Sequence, residues 1–485
     1  MIKAAHWRNK ATVLITAFLA GCAAVPRDPH STAALEPVKL GIGGNRASPE
    51  IDETWWKSLD DAQLDRIMTD ALAGNPSLEV AAARVRAARA AIDQAHAGLL
   101  PQVGIDVQEA RQRLSDKYII PPPYAGTSRW VGTAQANLSW SLDLAGRQKA
   151  LVDAAASQTW AAELDLAAAR ITLSGAVMQA YVNLRRADMQ AGLADRFVAS
   201  REEQLRLARS RQTNRLGSDF DLRAAETLLA EARQARVRAD GDKALMTHAL
   251  AALAGRGPDY YSTLSRPQLR LDQYLPIPTE VPADLLGRRP DILAAQAKVD
   301  ASDAGRRVAR ADFYPNVDIR AFAGFSAIGL GSLLMGGAAT YGAGPAIHLP
   351  IFEGGRLRAG YNRALAERDA AIANYNDLVV RAVREVADAL SSVDTNAKVT
   401  AEQLEISRGL SETVRLDEVR VRTGLGARLD VLDAQDRELA AAQRLTDLQA
   451  DGALARIQLV VALGGGFPSI HGDRTASAAA NAPRR

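Results

Sequence analysis

The sequence predicts an α+β membrane protein: a trimeric 12-stranded β-barrel, with four strands per chain, continued by a long α-helical barrel. Three observations carry this prediction. The second half of the chain repeats the pattern of the first, short segments alternate between apolar and polar residues, and very long helical patterns contain no proline. Aromatic residues make up only 5% of the 485 residues. This composition favours long helices packed by small side chains.

The first 21 residues have the features of a secretory signal peptide. Lys3, Arg8 and Lys10 precede the apolar run at 11–20, which is too short for a transmembrane helix. Without these three cations, basic and acidic residues number 56 each. The mature chain is therefore formally neutral, and it lacks the basic stripe of a nucleic-acid-binding protein.

Cys22 is the only cysteine of the chain, so no intramolecular disulfide can form. It ends the segment Leu19-Ala20-Gly21-Cys22, which resembles a bacterial lipobox. The resemblance implies that Cys22 is lipidated and becomes the mature N-terminus. Because Ala23 rather than Asp follows, the lipobox pattern implies retention in the outer membrane. The alternative is an ordinary signal peptide and an incidental free thiol.

An internal duplication organises the mature chain. Asn75-Pro76 corresponds to Arg289-Pro290 at an offset of 214, which changes to 209 at Gly146 and Gly355 and then stays constant. We predict a first repeat at 55–255 and a second at 284–466. The remaining predicted segments are an extended N-terminal segment at 22–54, a linker at 256–283 and a disordered tail at 467–485.

Each repeat is predicted to contribute two strands after an initial helix. Apolar residues alternate with polar ones from Val103 to Val107 and across 129–140, where Trp130 and Trp140 bound the apolar set. This pattern is typical of lipid-facing barrel strands with interfacial aromatic girdles. The matching strands are predicted at 317–325 and 340–351. The alternative is a soluble β-hairpin packed on a helix.

Helices of unusual length follow both strand pairs. The stretches 146–213 and 355–423 lack proline, and each is long enough to span roughly 100 Å as a helix. Their apolar residues follow alternating spacings of four and three, which predicts coiled-coil-like packing. Glycine-containing turns at 216–218 and 423–426 then lead into return helices.

Closure of the sheet predicts the assembly. Four strands cannot form a closed barrel, and open edges in hydrocarbon leave backbone groups unpaired at several kcal/mol each. Ring symmetry solves this problem. Two copies would supply about eight strands and little lumen, whereas three supply about twelve.

Several motifs occur in order along this duplicated frame, and together they cover nearly the whole mature chain. They resemble those of the outer membrane efflux family, the TolC-like proteins, and in particular its NodT/OprM-type lipoproteins. The motifs are Trp55-Trp56, Asn75-Pro76, Arg288-Arg289-Pro290-Asp291, Phe313-Tyr314-Pro315, Phe352-Glu353-Gly354-Gly355-Arg356, Leu429-Asp430-Val431-Leu432-Asp433 and Ala462-Leu463-Gly464-Gly465-Gly466.

The resemblance implies a passive exit duct for drugs or other small molecules, set in the outer membrane lipid with a large periplasmic part. The partners it implies are two further copies, a periplasmic adaptor (membrane fusion protein) and an inner-membrane transporter of the RND type. The alternatives are a channel for type I protein secretion and a periplasmic coiled-coil scaffold lipoprotein. A scaffold has no need of lipid-facing strands.

The resemblance also implies a gate at the periplasmic tip. Asp430 and Asp433 match aspartates that ring the constriction, and their spacing places them on one helix face. Asp221 is the repeat equivalent of Asp430, and Leu429 is a candidate apolar gate residue. The alternative role for both aspartates is stabilisation of a helix N-terminus. Leu425 and Leu432 are further candidates for this apolar constriction, and ordinary core packing is the alternative for all three leucines.

The same tip is where the adaptor is expected to dock. Our candidates are the residues of the two hairpin turns: Arg215, Leu216, Gly217, Ser218, Thr423, Gly424, Leu425 and Gly426.

The sequence does not indicate an enzyme. The six histidines are scattered, and motifs such as HExxH, a nucleophile elbow or a P-loop are absent. We therefore predict no cofactor and no metal site.

Overall fold

A computed structural model describes residues 32–35, 51–117, 119–272 and 288–467. The signal peptide, Cys22 and the predicted tail beyond residue 467 lie outside the described residues, as do most of the N-terminal segment and part of the linker. The chain divides into two units. The first contains Arg84–Ala162 and Ala294–Tyr375, and the second contains Leu35–Ala83, Glu163–Leu293 and Asn376–Arg485.

Helices and strands follow one another along the described residues in the order that the duplication predicts. The elements are α1 Ala62–Gly74, α2 Pro76–Ala97, β1 Gln102–Arg113, β2 Ser128–Ser141, α3 Arg147–Thr213, α4 Asp219–Leu253, α5 Pro290–Ala311, β3 Asn316–Ile328, β4 Ala339–His348, α6 Arg356–Arg422 and α7 Arg428–Ala462. Short 3₁₀ turns lie at Trp55–Leu59, Pro258–Thr263, Leu330–Ser332 and Gly336–Ala338.

The elements from α2 to α4 have counterparts in the same order from α5 to α7. The long helices α3 and α6 each contain 67 residues, the return helices α4 and α7 each contain 35, and α2 and α5 each contain 22. Within the described part of the chain, none of these helices is both long and apolar enough to cross a membrane.

The first unit contains one antiparallel sheet in the order β1-β2-β3-β4. Ile105 lies opposite Ala136, Ala136 opposite Ala323, and Ala323 opposite Tyr341. Residues that lie directly opposite each other point to the same side of a sheet. The register therefore sorts the side chains into two faces.

One face is apolar along most of its length, and its polar residues, Glu109, Arg111, Arg113 and Ser128, lie together at one end. From β1 to β4 it carries Val103, Ile105, Val107, Trp130, Gly132, Ala134, Ala136, Leu138, Trp140, Val317, Ile319, Ala321, Ala323, Phe325, Ala327, Ala339, Tyr341, Ala343, Pro345 and Ile347. In a single chain this face lies open, with Ile105 77% exposed and Tyr341 84% exposed.

The opposite face is mainly polar or glycine. It includes Gln102, Gly104, Asp106, Gln108, Thr133, Gln135, Asn137, Ser139, Asp318, Arg320, Phe322, Gly324, Thr340, Gly342, Gly344 and His348. The strand β4 ends at His348, three residues before the predicted end at 351. Pro350 has no N–H to donate to β3, which fits the early end, whereas Pro345 is tolerated within β4 because β4 is an edge strand.

The second unit has a core that the segment before the first long hairpin helps to build. Trp55, Trp56, Ile67 and Met68 are buried in one cluster with Tyr181 of α3. Asp61 caps α1 by accepting hydrogen bonds from the backbone N–H groups of the first turn. Its other carboxylate oxygen accepts a 2.8 Å hydrogen bond from the Tyr181 hydroxyl. Burial and this carboxylate raise the pKa of Tyr181.

A second buried carboxylate, Asp188 of α3, joins three segments of this unit. It accepts from Lys243 of α4 at 2.9 Å and from Arg266, beyond the 3₁₀ turn, at 2.6 Å. Arg185 lies 3.3 Å away on the same helix. Burial opposes ionisation of Asp188, but the bonds from Lys243 and Arg266 outweigh it and hold the pKa of this carboxyl below its usual range.

Candidate functional site

The candidate site lies at the turns of the two long helical hairpins. The first turn joins α3 to α4 and the second joins α6 to α7. In each, the second residue after the helix is left-handed: Arg215 has φ 56° and Gly424 has φ 75°. The next amide then bonds back to the helix, from Leu216 to the Arg211 carbonyl at 2.7 Å and from Leu425 to the Arg420 carbonyl at 2.8 Å. Both turns are therefore Schellman motifs.

Both turns also have glycine at the same later position, where a side chain would be crowded. A Cβ on Gly217 would lie 3.2 Å from the Arg211 Cβ, and one on Gly426 would lie 3.1 Å from the Arg420 Cβ. These distances are tighter than ordinary van der Waals contact. The turns therefore fold back closely onto their own helices, and they leave Leu216 71% exposed and Leu425 75% exposed.

Two of the predicted gate aspartates cap the return helices. Asp221 accepts from the Ser218 N–H at 3.0 Å and from the Ser218 hydroxyl at 2.8 Å, and its own N–H donates to that hydroxyl. The backbone bond from Ser218 is the main cause that lowers the pKa of Asp221. Asp430 accepts from the Ala427 N–H at 3.1 Å. Since alanine has no side-chain acceptor, only half of a capping box forms at α7.

Asp433 has no such local role. Its side chain is exposed and lines a cavity of about 370 Å³ together with Leu429, Asp221, Gly217 and Arg428. The start of α7 and both helices of the first hairpin line this cavity. Three of the four predicted gate residues thus meet in one place, whereas the Asp430 carboxylate is turned toward the first residues of its own helix.

One sequence candidate for an apolar constriction is a core residue instead. Leu432 is 1% exposed in a single chain, so its side chain packs inside the second unit. Leu425 and Leu429 remain exposed, at 75% and 38%. The helix face that carries Leu432 is therefore the packing face of α7.

Sequence reasoning missed the buried carboxylate of Asp436. Its oxygens accept from the Ser200 hydroxyl at 2.8 Å and the Gln204 amide at 2.7 Å, and Arg201 lies 3.0 Å away. A second link nearby joins Arg428 to Glu203 at 2.8 Å. These bonds hold α7 to α3 just beyond the turns.

A signal for Asp436 was present in the sequence. It lies four residues after Leu432 and three before Leu439, so an aspartate occupies an apolar position of the coiled-coil pattern. A carboxylate at such a position must find hydrogen-bond donors. The donors come from residues more than 230 positions away, with 236 positions between Ser200 and Asp436.

The chemistry of this site suits packing and ion contact rather than catalysis. Within the described ranges no group of three or more His, Cys, Asp or Glu side chains is arranged to hold a metal ion. The groups at the turns are carboxylates, guanidiniums and exposed leucines, and Asp221 and Asp430 are engaged in capping.

Comparison with known proteins decides the family. The family model described as outer membrane efflux protein matches residues 67–256 and 281–465. The chain belongs to the outer membrane efflux protein family. The fold class, the family and the outer-membrane location expected from the sequence are thereby confirmed, and the family and fold are those of a passive channel.

Individual relatives agree with this family. The chain is 35% identical over 368 residues to the fusaric acid resistance protein FusA of Burkholderia cepacia, covering 73% of this chain and 69% of FusA. It is 32% identical over 457 residues to the outer membrane protein OprJ of Pseudomonas aeruginosa, covering 94% and 95%. The crystal structure of the outer membrane protein VceC of Vibrio cholerae superposes with a TM-score of 0.77 at 30% identity, covering 85% of this chain and 99% of VceC.

Proposed function

We propose that three copies of this outer membrane efflux protein close their sheets into one 12-stranded barrel and form a passive exit duct. The observation that carries the proposal is the sheet itself, whose apolar face is open and whose outer strands β1 and β4 each have a free edge. In hydrocarbon the apolar face is solvated, and each unpaired edge group costs several kcal/mol. Pairing β4 of one copy with β1 of the next satisfies both edges.

The faces of the sheet fix the orientation in such a ring. The apolar part of the face with Ile105 and Tyr341 turns to lipid, with Trp130 and Trp140 at its two ends. The face with Asp106, Asn137 and the other polar residues turns to the lumen, where water solvates it. Transmembrane barrels with an aqueous channel follow this alternation.

The cargo that we propose is a small organic molecule. FusA is named for resistance to fusaric acid, and its similarity to this chain favours small organic solutes over secreted proteins. We infer that a periplasmic adaptor and an inner-membrane transporter of the RND type deliver the cargo, and that the duct itself moves it passively.

The hairpin turns are the docking site that we propose for the adaptor. Leu216 and Leu425 project from the two turns with most of their surface exposed, in equivalent positions of the repeat. Arg215, Gly217 and Ser218 accompany the first leucine, and Thr423, Gly424 and Gly426 accompany the second. Two similar apolar tips per chain would offer an adaptor repeated, nearly equivalent contacts.

The gate role is proposed chiefly for Asp433 and Leu429. Asp433 is exposed, has no capping role and lies in the tip cavity. Three copies would bring three such carboxylates together, which attracts cations and disfavours anions. Asp430 and Asp221 add negative charge near the turns, although each also caps its helix.

We also propose that Cys22 carries the lipid anchor. Its lipobox context supports acylation, and two or more acyl chains give stable membrane attachment. Mass spectrometry of the mature N-terminal peptide tests this, because acylation adds a large, defined mass that the Cys22→Ala variant lacks. An unmodified Cys22 in the mature wild-type chain excludes the anchor.

The function is tested by recording currents across a planar lipid bilayer after adding purified full-length protein. We expect discrete, uniform conductance steps, as a water-filled lumen requires. A protein that inserts but never conducts, even after its tip aspartates are neutralised, would contradict the proposal of an exit duct.

A further inference from the structure

An aromatic ring lies on the mainly polar face of the sheet. Among the four described strands, Phe322 is the only Phe, Tyr or Trp whose register position is on that face. The remaining aromatic residues of these strands, Trp130, Trp140, Phe325 and Tyr341, belong to the apolar face. Because the polar face does not meet lipid in the proposed barrel, the ring is not explained by membrane burial.

The ring of Phe322 is seated on the neighbouring strand. Phe322 lies opposite Gly342 in the β3–β4 register. A Cβ on Gly342 would lie 2.8 Å from Cε1 and 3.0 Å from Cζ of the ring. The ring of Phe322 therefore occupies space that a side chain at position 342 would need. Its other side remains open, with Phe322 40% exposed.

Two further glycines keep the surroundings of the ring bare. Gly104 lies in the same row across the sheet, opposite Asn137, and Gly344 lies two residues beyond Gly342. A Cβ on either would meet nothing within 4 Å, so packing does not require glycine there. Glycine inside a strand lowers its stability and often marks a place that a ligand or another backbone approaches closely.

The polar neighbours of the ring are already paired with each other. The Asn137 amide donates to the Asp106 carboxylate at 2.7 Å, and Arg320 lies 3.7 Å from Asp318. Arg320 and Asp318 offset each other's charge, and the Asp106 carboxylate is engaged by the Asn137 amide. A solute can therefore reach a flat apolar ring whose neighbours Gly104, Gly342 and Gly344 carry no side chains.

We propose that Phe322, with Gly104, Gly342 and Gly344, forms a contact site for planar aromatic solutes on the inner wall of the duct. The inference rests on the proposed function, since it requires the polar face to line the lumen. Aromatic rings stack in offset or edge-to-face geometry with a gain beyond simple burial. One such site per copy would bind aromatic cargo transiently as it passes through the barrel.

The orientation of Phe322 is tested by cysteine labelling of the full chain in proteoliposomes. Phe322→Cys is compared with Phe325→Cys, which lies three residues away on the opposite face. A membrane-impermeant maleimide is expected to label the cysteine at 322 and to leave the one at 325 unlabelled, with the wild-type chain reporting any reaction at Cys22. Labelling at 325 but not at 322, at both positions, or at neither would overturn the inference.

The contact itself is tested with two probes of similar size and equal charge, benzoate and cyclohexanecarboxylate, added to single channels in a planar bilayer. For the wild-type protein we expect benzoate to interrupt the current at least about threefold more often. Phe322→Leu should remove this preference, and Phe325→Leu should keep it. Equal interruption by both acids in the wild type, or an unchanged preference in Phe322→Leu, overturns the inference. A wild-type protein without any current would instead count against the proposed function.

Discussion

Three buried carboxylates join distant segments in the helical part of this chain. Asp61, Asp188 and Asp436 are each less than a tenth exposed, and each accepts hydrogen bonds from residues distant in sequence. Burying an ionised group without partners is strongly unfavourable, whereas a fully bonded one fixes the relative position of the segments it joins. Composition and periodicity do not reveal such partners, because the donors and the acceptor lie far apart along the chain.

Asp188 makes the stability of the second unit depend on pH. Its pKa is lowered below the ordinary value of 3.8, so its contribution is complete above that value and is lost as the pH falls through the lower, folded-state pKa. Asp188→Asn should lower the free energy of unfolding near neutral pH by about 1–3 kcal/mol. Thermal unfolding in detergent at a series of pH values measures this.

The difference between wild type and Asp188→Asn should shrink as the pH falls below about 4, because the unfolded chain then binds a proton at Asp188 that the folded chain does not yet bind. Asp394→Asn is a suitable control, because Asp394 forms an exposed pair with Lys398 at 2.7 Å. It should unfold at nearly the wild-type temperature. A difference between wild type and Asp188→Asn that stays constant from pH 7 to pH 3 would exclude the charged network as its source.

Asp433 is the residue on which the gate proposal can be tested without disturbing a helix cap. Asp433→Asn keeps the shape of the side chain and removes its charge. Block of the channel by divalent cations should then require at least about tenfold higher concentration, since the carboxylates that attract the cation are neutral. Current recordings with increasing Mg²⁺ provide the measurement.

Asp221→Asn serves as the comparison for Asp433→Asn. Asp221 lines the same cavity but is bonded to Ser218, so its neutralisation should affect block less. If Asp433→Asn leaves the block unchanged, Asp433 does not face the conducting path.

At the scale of elements, local chemistry predicted most of the fold. The proline-free stretches became 67-residue helices, the alternating segments became strands, and glycine-containing turns separate the helices. What the sequence did not reveal was the left-handed Arg215, because an arginine carries no signal for positive φ. The repeat did hold that signal, since Arg215 occupies the position of Gly424, whose φ is also positive.

The two turns provide opposite predictions at this equivalent position. A side chain in the left-handed region costs about 1 kcal/mol or more. Arg215→Gly should therefore raise the stability by about 0.5 kcal/mol after the greater freedom of the unfolded chain is included, and Gly424→Ala should lower it by about 1 kcal/mol. Chemical unfolding of the purified variants measures both changes.

Gly409→Ala is the control for Gly424→Ala, because it makes the same substitution inside a helix. Gly409 lies inside α6, and a Cβ there would meet nothing within 4 Å, so alanine should stabilise the helix by about 1 kcal/mol. Stabilisation by Gly424→Ala of the same size as by Gly409→Ala would show that the left-handed turn imposes no strain.

At the scale of the whole molecule, the sheet explains why one chain cannot close a barrel by itself. Its apolar face and two free edges are complementary to a bilayer and to further copies of the same sheet, respectively. The sequence predicted both features from alternation and from the strand count. The residues that meet at the hairpin turns needed the structure, since Asp221 and Asp433 reach one cavity from different repeats.

The most direct test of the account is the native mass of the full-length protein after extraction from outer membranes. We predict that detergent is needed for extraction and that native mass spectrometry then finds three chains per particle. A protein released by carbonate alone, or a particle of one or two chains that still conducts, would contradict closure of the barrel by three copies.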